Sequence, residues 1–512
     1  MNETTPIDAV APELLDSCRD EISLDPEDWP RLKAIAHRMV DDTMDYLASA
    51  AERPTWQPIP DDVKRTFTHG VPREGQDPED VYDEFRERVL PYPYGNVHPR
   101  FWGWVCGTGT PLGAMAEMLA AGMNTNVCGF EQSAVYVEEQ VISWFRDLLG
   151  FPETASGILV TGGSMANLLG LAVARHARAG FDVRREGLQR PLGHAPLVVY
   201  ASEQTHSSVQ KAVELLGLGS DALRLVPTYE DYSVDLGALR DAIHEDRRRG
   251  RRPICVVGNA GTVNTGALDD LEALARICRL EDVWLHVDGA FGALAALSPR
   301  LRPKLKGLEL ADSVAFDLHK WMYMPYDVGC LLVRRRDDHR AAFQLVPAYL
   351  SPLPGGVAAG PLMYADYGIE LSRGFRALKV WMSIKSHGIE RYVRLIEQNV
   401  AQARYLAERV ERHLHLELMA PVALNVVCLR YRLSGPQGEP GVEERMNELN
   451  RRILVALQES GVAVPSLTVL KGQACLRVAI TNHRTRRADL DLLVDETVRL
   501  GETLHEDLAE QS

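Results

Sequence analysis

Apolar positions change their period twice along the chain. Between Trp29 and Ala51 they fall at helical spacing, at Leu32, Ile35, Ala36, Met39, Val40, Met44 and Leu47. The acids of Asp25-Pro26-Glu27-Asp28 stand just before them, where a helix carries its positive end. Pro54, Pro58 and Pro60 interrupt this pattern, and a second helix is predicted near 78–89. Residues 1–95 have no long apolar core of their own and read as a helical arm that packs on something else, such as a partner subunit. From 96 to about 345, short apolar runs at 157–160, 197–201, 223–227, 254–258, 283–288 and 313–316 alternate with helical stretches at 165–179, 208–216, 236–244 and 268–279. That alternation predicts βαβ units and a mainly parallel sheet. A further run at 328–333 follows too closely for a crossover helix, which predicts an antiparallel neighbour. A long helix is expected from 375 to 396. Strand-like runs at 423–432 and 475–480 and helices at 443–460 and 490–500 then make a compact α+β unit. The expected organisation is an arm at 1–95, a large α/β domain at 96–375 and a small α+β domain at 376–512.

Composition narrows the classes. Of 512 residues, 46% are hydrophobic, ample to offset the entropy of ordering, so extensive disorder is excluded. The net charge of −15 argues against nucleic-acid binding, and the basic residues at 247–252 read as a solvated turn after a helix. Eight cysteines without a CxxC pair suggest reduced thiols and no metal site. The N-terminus has neither a basic segment nor an apolar one, and no run approaches the ~18 apolar residues of a membrane span. A cytoplasmic protein is expected.

Candidate chemistry gathers at strand ends. His319-Lys320 follows the run at 313–316. A lysine there either emerges at the sheet edge or stays inside, where a lowered pKa suits Schiff-base chemistry. Upstream by 32 residues, Asp288 ends the run at 283–288, either as a turn former or as a ligand-facing acid. Lysine and carboxylate together are what pyridoxal 5'-phosphate requires: an amine for its aldehyde and an acid for its ring nitrogen. Gly162, Gly163 and Ser164 open a helix after another strand, as a plain turn or a phosphate cradle. They form neither a Walker loop nor GxGxxG. His206 follows a strand and precedes two capping serines, so it stacks on a ligand or belongs to the cap. Thr262 ends a fifth strand. Each feature alone has a structural explanation; five in order along one sheet edge converge on a site.

These stretches resemble the group II pyridoxal-phosphate-dependent amino-acid decarboxylases, the aromatic-L-amino-acid decarboxylase family. The likeness runs from about residue 30 to 495. It is strongest at His98-Pro99-Arg100-Phe101, 161–168, 205–208, 284–290, His319-Lys320-Trp321 and 375–381. It implies the fold type I of pyridoxal-phosphate-dependent transferases: an α/β large domain on a mainly parallel seven-stranded sheet, a helical N-terminal arm and an α+β small domain. It implies Lys320 as the Schiff-base lysine and Asp288 as partner of the ring nitrogen. His206 and Ala290 would lie on opposite faces of the ring, Thr262 would line the site, and Gly162, Gly163, Ser164 and His319 would hold the phosphate.

By the same resemblance, Tyr349 on a Pro- and Gly-rich loop returns a proton to the substrate, and Arg373 lies near the site. Tyr349 and His206 both favour amine formation over the aldehyde synthesis of some relatives. Trp102 and Trp104 suggest an aromatic pocket, and Ser372 tilts the substrate toward tyrosine, dihydroxyphenylalanine, phenylalanine or histidine rather than tryptophan. An aldehyde synthase, or another pyridoxal-phosphate lyase acting on a non-aromatic amino acid, is the alternative. The family is homodimeric with shared active sites. One departure stands next to the lysine: the family's usual Asn-Pro is Asp317-Leu318, and an aspartate would repel a phosphate unless turned away or paired.

Overall fold

The computed structural model describes residues 22–188, 193–345, 353–360, 362–433 and 441–510. The chain divides into two units, 22–49 with 59–93, and 50–58 with 94–510. In the first unit, Asp28 caps helix Trp29–Ala48 by accepting from Arg31 N, and Asp77 caps helix Pro78–Arg88. These helices are joined by Arg38 to Glu79 and Asp83, and by Asp42 to Tyr82 and Arg86. Within this unit only Ile35 and Tyr82 are buried apolar side chains, while Trp29, Phe67, Phe85 and Val89 are exposed.

The second unit is built on a seven-stranded sheet. Its strands are β1 (Ser156–Val160), β2 (Leu197–Ser202), β3 (Leu223–Val226), β4 (Arg252–Asn259), β5 (Trp284–Asp288), β6 (Ser313–Asp317) and β7 (Gly329–Val333), in the order β1-β7-β6-β5-β4-β2-β3. Pairs β2–β3, β2–β4, β4–β5 and β5–β6 are parallel, while β7 runs antiparallel to both β6 and β1. The expected α/β class and antiparallel strand are both present. Nearly every position of the central strands is buried, as expected where helices cover both faces. Register sets the site: Asn259 lies opposite Asp288, and Asp317 opposite Gly329, so these polar residues end neighbouring strands at one edge.

A four-stranded antiparallel sheet follows, of β8 (Leu416–Leu418), β9 (Val426–Tyr431), β10 (Ser466–Leu470) and β11 (Gln473–Ala479), ordered β10-β11-β9-β8. Helices Ile389–Glu411, Val442–Glu459 and Arg487–Glu510 pack with it. Two of the expected helices differ from the sequence pattern. The helix expected over 375–396 is two helices, Ala377–His387 and Ile389–Glu411, because Gly388 takes φ +71 between them. The helix expected at 268–279 starts at Leu271, where Asp270 accepts from Ala273 N and Leu268 instead bridges Ala260. No helix among the described residues is long and apolar enough to cross a membrane.

Candidate active site

At the carboxyl edge of the large sheet, β6 ends at Asp317 and the chain makes one helical turn, Leu318–Trp321. Leu318 N and His319 N both donate to Val328 O, and buried Trp321 donates from Nε1 to Asn399 Oδ1 at 3.0 Å. This anchored turn carries Lys320, whose Nζ lies 2.7 Å from Asp317 Oδ2. Burial pulls the lysine's pKa down, but the charge and hydrogen bond of Asp317, aided by the field of Asp288, outweigh it and leave it raised. The backbone at Gly107 comes so close that a Cβ there would fall 1.9 Å from His319 O.

Asp288 ends β5 and is buried. Its Oδ2 accepts from Asn167 Nδ2 at 2.9 Å and its Oδ1 from Ala290 N at 3.1 Å. Asn167 also donates to Ser208 Oγ (3.0 Å), and its Oδ1 is 2.9 Å from His286 Nε2. His286 Nδ1 is 2.8 Å from Ser313 Oγ, which accepts from Trp284 Nε1. The chain of partners assigns the proton of His286 to Nε2, and burial lowers its pKa to about 4, so the ring is neutral. His206 opens helix Ser207–Leu215, with Nδ1 accepting from Ser208 N at 3.2 Å and 2.8 Å from Ser208 Oγ. That leaves Nε2 protonated. Burial lowers this pKa too, against the pull of Asp288.

Helix Gly163–Arg178 begins after β1, and among the described residues no side chain caps its N-terminus. Its backbone N–H groups and dipole are therefore available to an anion. His319 accepts from Val328 N at Nδ1, lies under Tyr326 with ring centroids 4.4 Å apart, and has its pKa lowered by burial. Lys320, Asp288, His206, Ala290, His319 and the turn 162–164 line one cavity of about 520 Å³. Amine, carboxylate, flat-walled space and anion cradle together fit pyridoxal phosphate.

Comparison with known proteins agrees. Residues 60–432 match the pyridoxal-dependent decarboxylase conserved domain. The chain belongs to that family. It is a pyridoxal-phosphate-dependent amino-acid decarboxylase. It is 35% identical over 466 residues to an aromatic-L-amino-acid decarboxylase of Bacillus atrophaeus, covering 90% of this chain and 93% of the relative. A phenylacetaldehyde synthase of Petunia hybrida is 29% identical, over 93% of this chain and 94% of that one. The crystal structure of Oryza sativa TDC with PLP and tryptamine superposes with a TM-score of 0.86 at 26% identity, covering 94% of this chain and all of that one.

The other expected residues of the decarboxylase divide between the cavity and the rest of the fold. Trp104 lines the cavity, stacked on Tyr94 at 5.4 Å, but Trp102 is buried in the small-sheet core, its Nε1 donating to Thr485 Oγ1. Thr262 does not line it: its hydroxyl meets Thr265 Oγ1 and accepts from Ala267 N, closing a turn, while Gly261 and Val263 face the cavity. Ser372 is exposed and away from the lining. Arg373 is buried with Glu138, donates to Val127 O and Leu159 O, and lies over the Tyr364 ring, which makes it a clamp between segments. Tyr349 lies outside the described residues.

Among the lining residues missed from sequence, three carry polar chemistry into the cavity. Asn167, a lone amide on an apolar helix face one turn beyond Ser164, was the legible one. Tyr326 precedes an antiparallel strand without a pattern around it. Arg477 comes from β11 in the small sheet. It donates from Nε to Asn264 O (3.0 Å) and from Nη1 to Trp104 O (2.7 Å), while among the described residues its buried Nη2 has no partner. Among the described residues it has no acidic partner, and burial lowers its pKa.

Proposed function

We propose that this chain converts an aromatic L-amino acid to its amine and CO2 at Lys320, as part of a homodimer with shared active sites in the cytoplasm. The observation that carries the reading is the meeting of Lys320, Asp288 and His206 in one cavity walled by Trp104, Tyr326 and Phe291. When bound, pyridoxal phosphate supplies an aldehyde for an amine and a ring that takes up the electrons left by departing CO2.

The protein's own groups divide the remaining work. Asp288, fixed by Asn167 and Ala290, holds a proton on the ring nitrogen. The N–H groups at 163–164 and the His319 side chain hold the phosphate. His206, pinned by Ser208, presents a flat face to the ring. Arg477 is the lining cation free to meet a carboxylate, which suits an amino acid. Tyr349 returns a proton to the substrate's α-carbon. The exposed apolar side chains Trp29, Phe67, Phe85 and Val89 support an N-terminal unit that packs on a second copy.

The test is a panel of L-amino acids offered to the cofactor-loaded protein, with CO2, amine, aldehyde and peroxide measured together. Amine from tyrosine, dihydroxyphenylalanine, phenylalanine, histidine or tryptophan supports the reading. Aldehyde with peroxide as main products overturns the amine assignment, and CO2 from acidic or aliphatic substrates alone overturns the aromatic one.

A further inference from the structure

Asp317 ends β6 and lines the cavity three residues before Lys320. Its carboxylate is 1% exposed. Oδ2 meets Lys320 Nζ at 2.7 Å, and among the described residues Oδ1 has no hydrogen-bond partner. The group is held between two glycines. A Cβ on Gly163 would come within 2.8 Å of Oδ2, and one on Gly329 within 2.6 Å of Oδ1. It therefore lies against the uncapped helix N-terminus assigned above to the phosphate. A buried carboxylate there has two stable forms, an anion paired with an ammonium or a neutral acid that donates.

Resting on the reading that Lys320 takes the cofactor's aldehyde and the turn 162–164 its phosphate, we propose that Asp317 is a proton store for Lys320. In the cofactor-free site it holds the amine as an ammonium. As the phosphate enters, one proton passes from Nζ to Oδ2. The N–H bond breaks and the O–H bond forms, with no net change in charge. The transfer frees the amine's lone pair for the aldehyde. It also converts an anion that repels phosphate into a donor at its cradle. Asp317 is thus a positioning residue that couples amine activation to phosphate capture.

The groups around the pair leave this role to Asp317. His319 Nε2 lies 3.8 Å from Asp317 Oδ2, and its Nδ1 is taken by Val328 N. Asp288 is occupied by Asn167 and Ala290, and His206 Nδ1 by Ser208. Burial raises the pKa values of Tyr326 and Cys330, so both stay neutral near pH 7.

Two readouts independent of turnover test the proposal. The first is acetic anhydride labelling of Lys320 in cofactor-free protein at pH 7, quantified by peptide mapping. Asp317→Asn should label about tenfold faster or more, the effect of one pKa unit; equal rates overturn the proposal. The second is infrared difference spectroscopy of the wild-type chain. Pyridoxal phosphate should raise a protonated-carboxyl band that shifts with 13C-labelled aspartate, and pyridoxal without phosphate should not. Absence of that band, or an equal band with pyridoxal, overturns the proposal, and this arm stands even if Asp317→Asn does not fold. If the wild type takes up pyridoxal phosphate at another lysine, the underlying reading of Lys320 falls, and the proposal with it.

Discussion

Asn167 Nδ2 donates to Asp288 Oδ2 at 2.9 Å, the side-chain hydrogen bond that this carboxylate accepts in the structure. The same amide reaches Ser208 and His286, so one residue ties the carboxylate to both histidines. Asn167→Leu should therefore weaken cofactor binding by about tenfold or more, the scale on which loss of an outer-shell orienting partner weakens metal sites. The His286 N–H left without its acceptor should cost a further ~1–3 kcal/mol of folding stability. Cofactor titration and urea denaturation measure the two effects separately.

Trp102 and Trp104 are two residues apart and face different surroundings. Trp102→Ala empties part of the small-sheet core and should cost ~3–5 kcal/mol in denaturant unfolding with little change in KM. Trp104→Ala removes a half-exposed cavity wall and should raise KM several-fold at nearly unchanged stability. Reversal of these two phenotypes would contradict the placement.

Buried histidines make stability depend on pH in a defined window. Burial lowers the pKa of His98, His286 and His483 to about 4 and of His339 to about 3. In the unfolded chain each titrates at ~6.5. Above that value both states are neutral and no cost arises. As pH falls through it the unfolded state takes up the proton first, so stability drops until the folded pKa is reached. Each group contributes at most ~1.4 kcal/mol per pH unit in that range. Denaturation at pH 7 and pH 5 should show marked destabilisation at pH 5. In His339→Gln the slope should be shallower.

Arg477 brings an unpartnered guanidinium nitrogen to the cavity. A charge-assisted hydrogen bond of ~1.5–3 kcal/mol to a substrate carboxylate would be lost in Arg477→Met, raising KM about tenfold to a hundredfold. Thermal stability should hold or rise, because a buried charge without an acidic partner is removed. Unchanged KM would assign Arg477 to holding Trp104 O and Asn264 O alone.

The large sheet was legible because its central strands are almost wholly buried, and buried parallel strands read as apolar runs. β8 and β10 were not: one is three residues long, and the other alternates buried with exposed positions between polar residues. Lys320, Asp288, His206 and the glycine turn were legible because strand ends of one parallel sheet converge on one edge. Arg477 was hidden because it reaches that edge from another sheet. Thr262 and Arg373 looked like site residues in a linear chain. Only packing shows that one closes a turn and the other clamps Glu138. Asp317 was visible as a departure, but its ion pair with Lys320 depends on the one-turn helix that follows β6.

The most direct test of the account is borohydride reduction of the cofactor-loaded protein, followed by protease digestion and mass mapping of the pyridoxyl label. The label should sit on Lys320 alone, and Lys320→Ala should carry none and lose decarboxylation. A label on another lysine, or full turnover by Lys320→Ala, would contradict the site on which the whole reading is built.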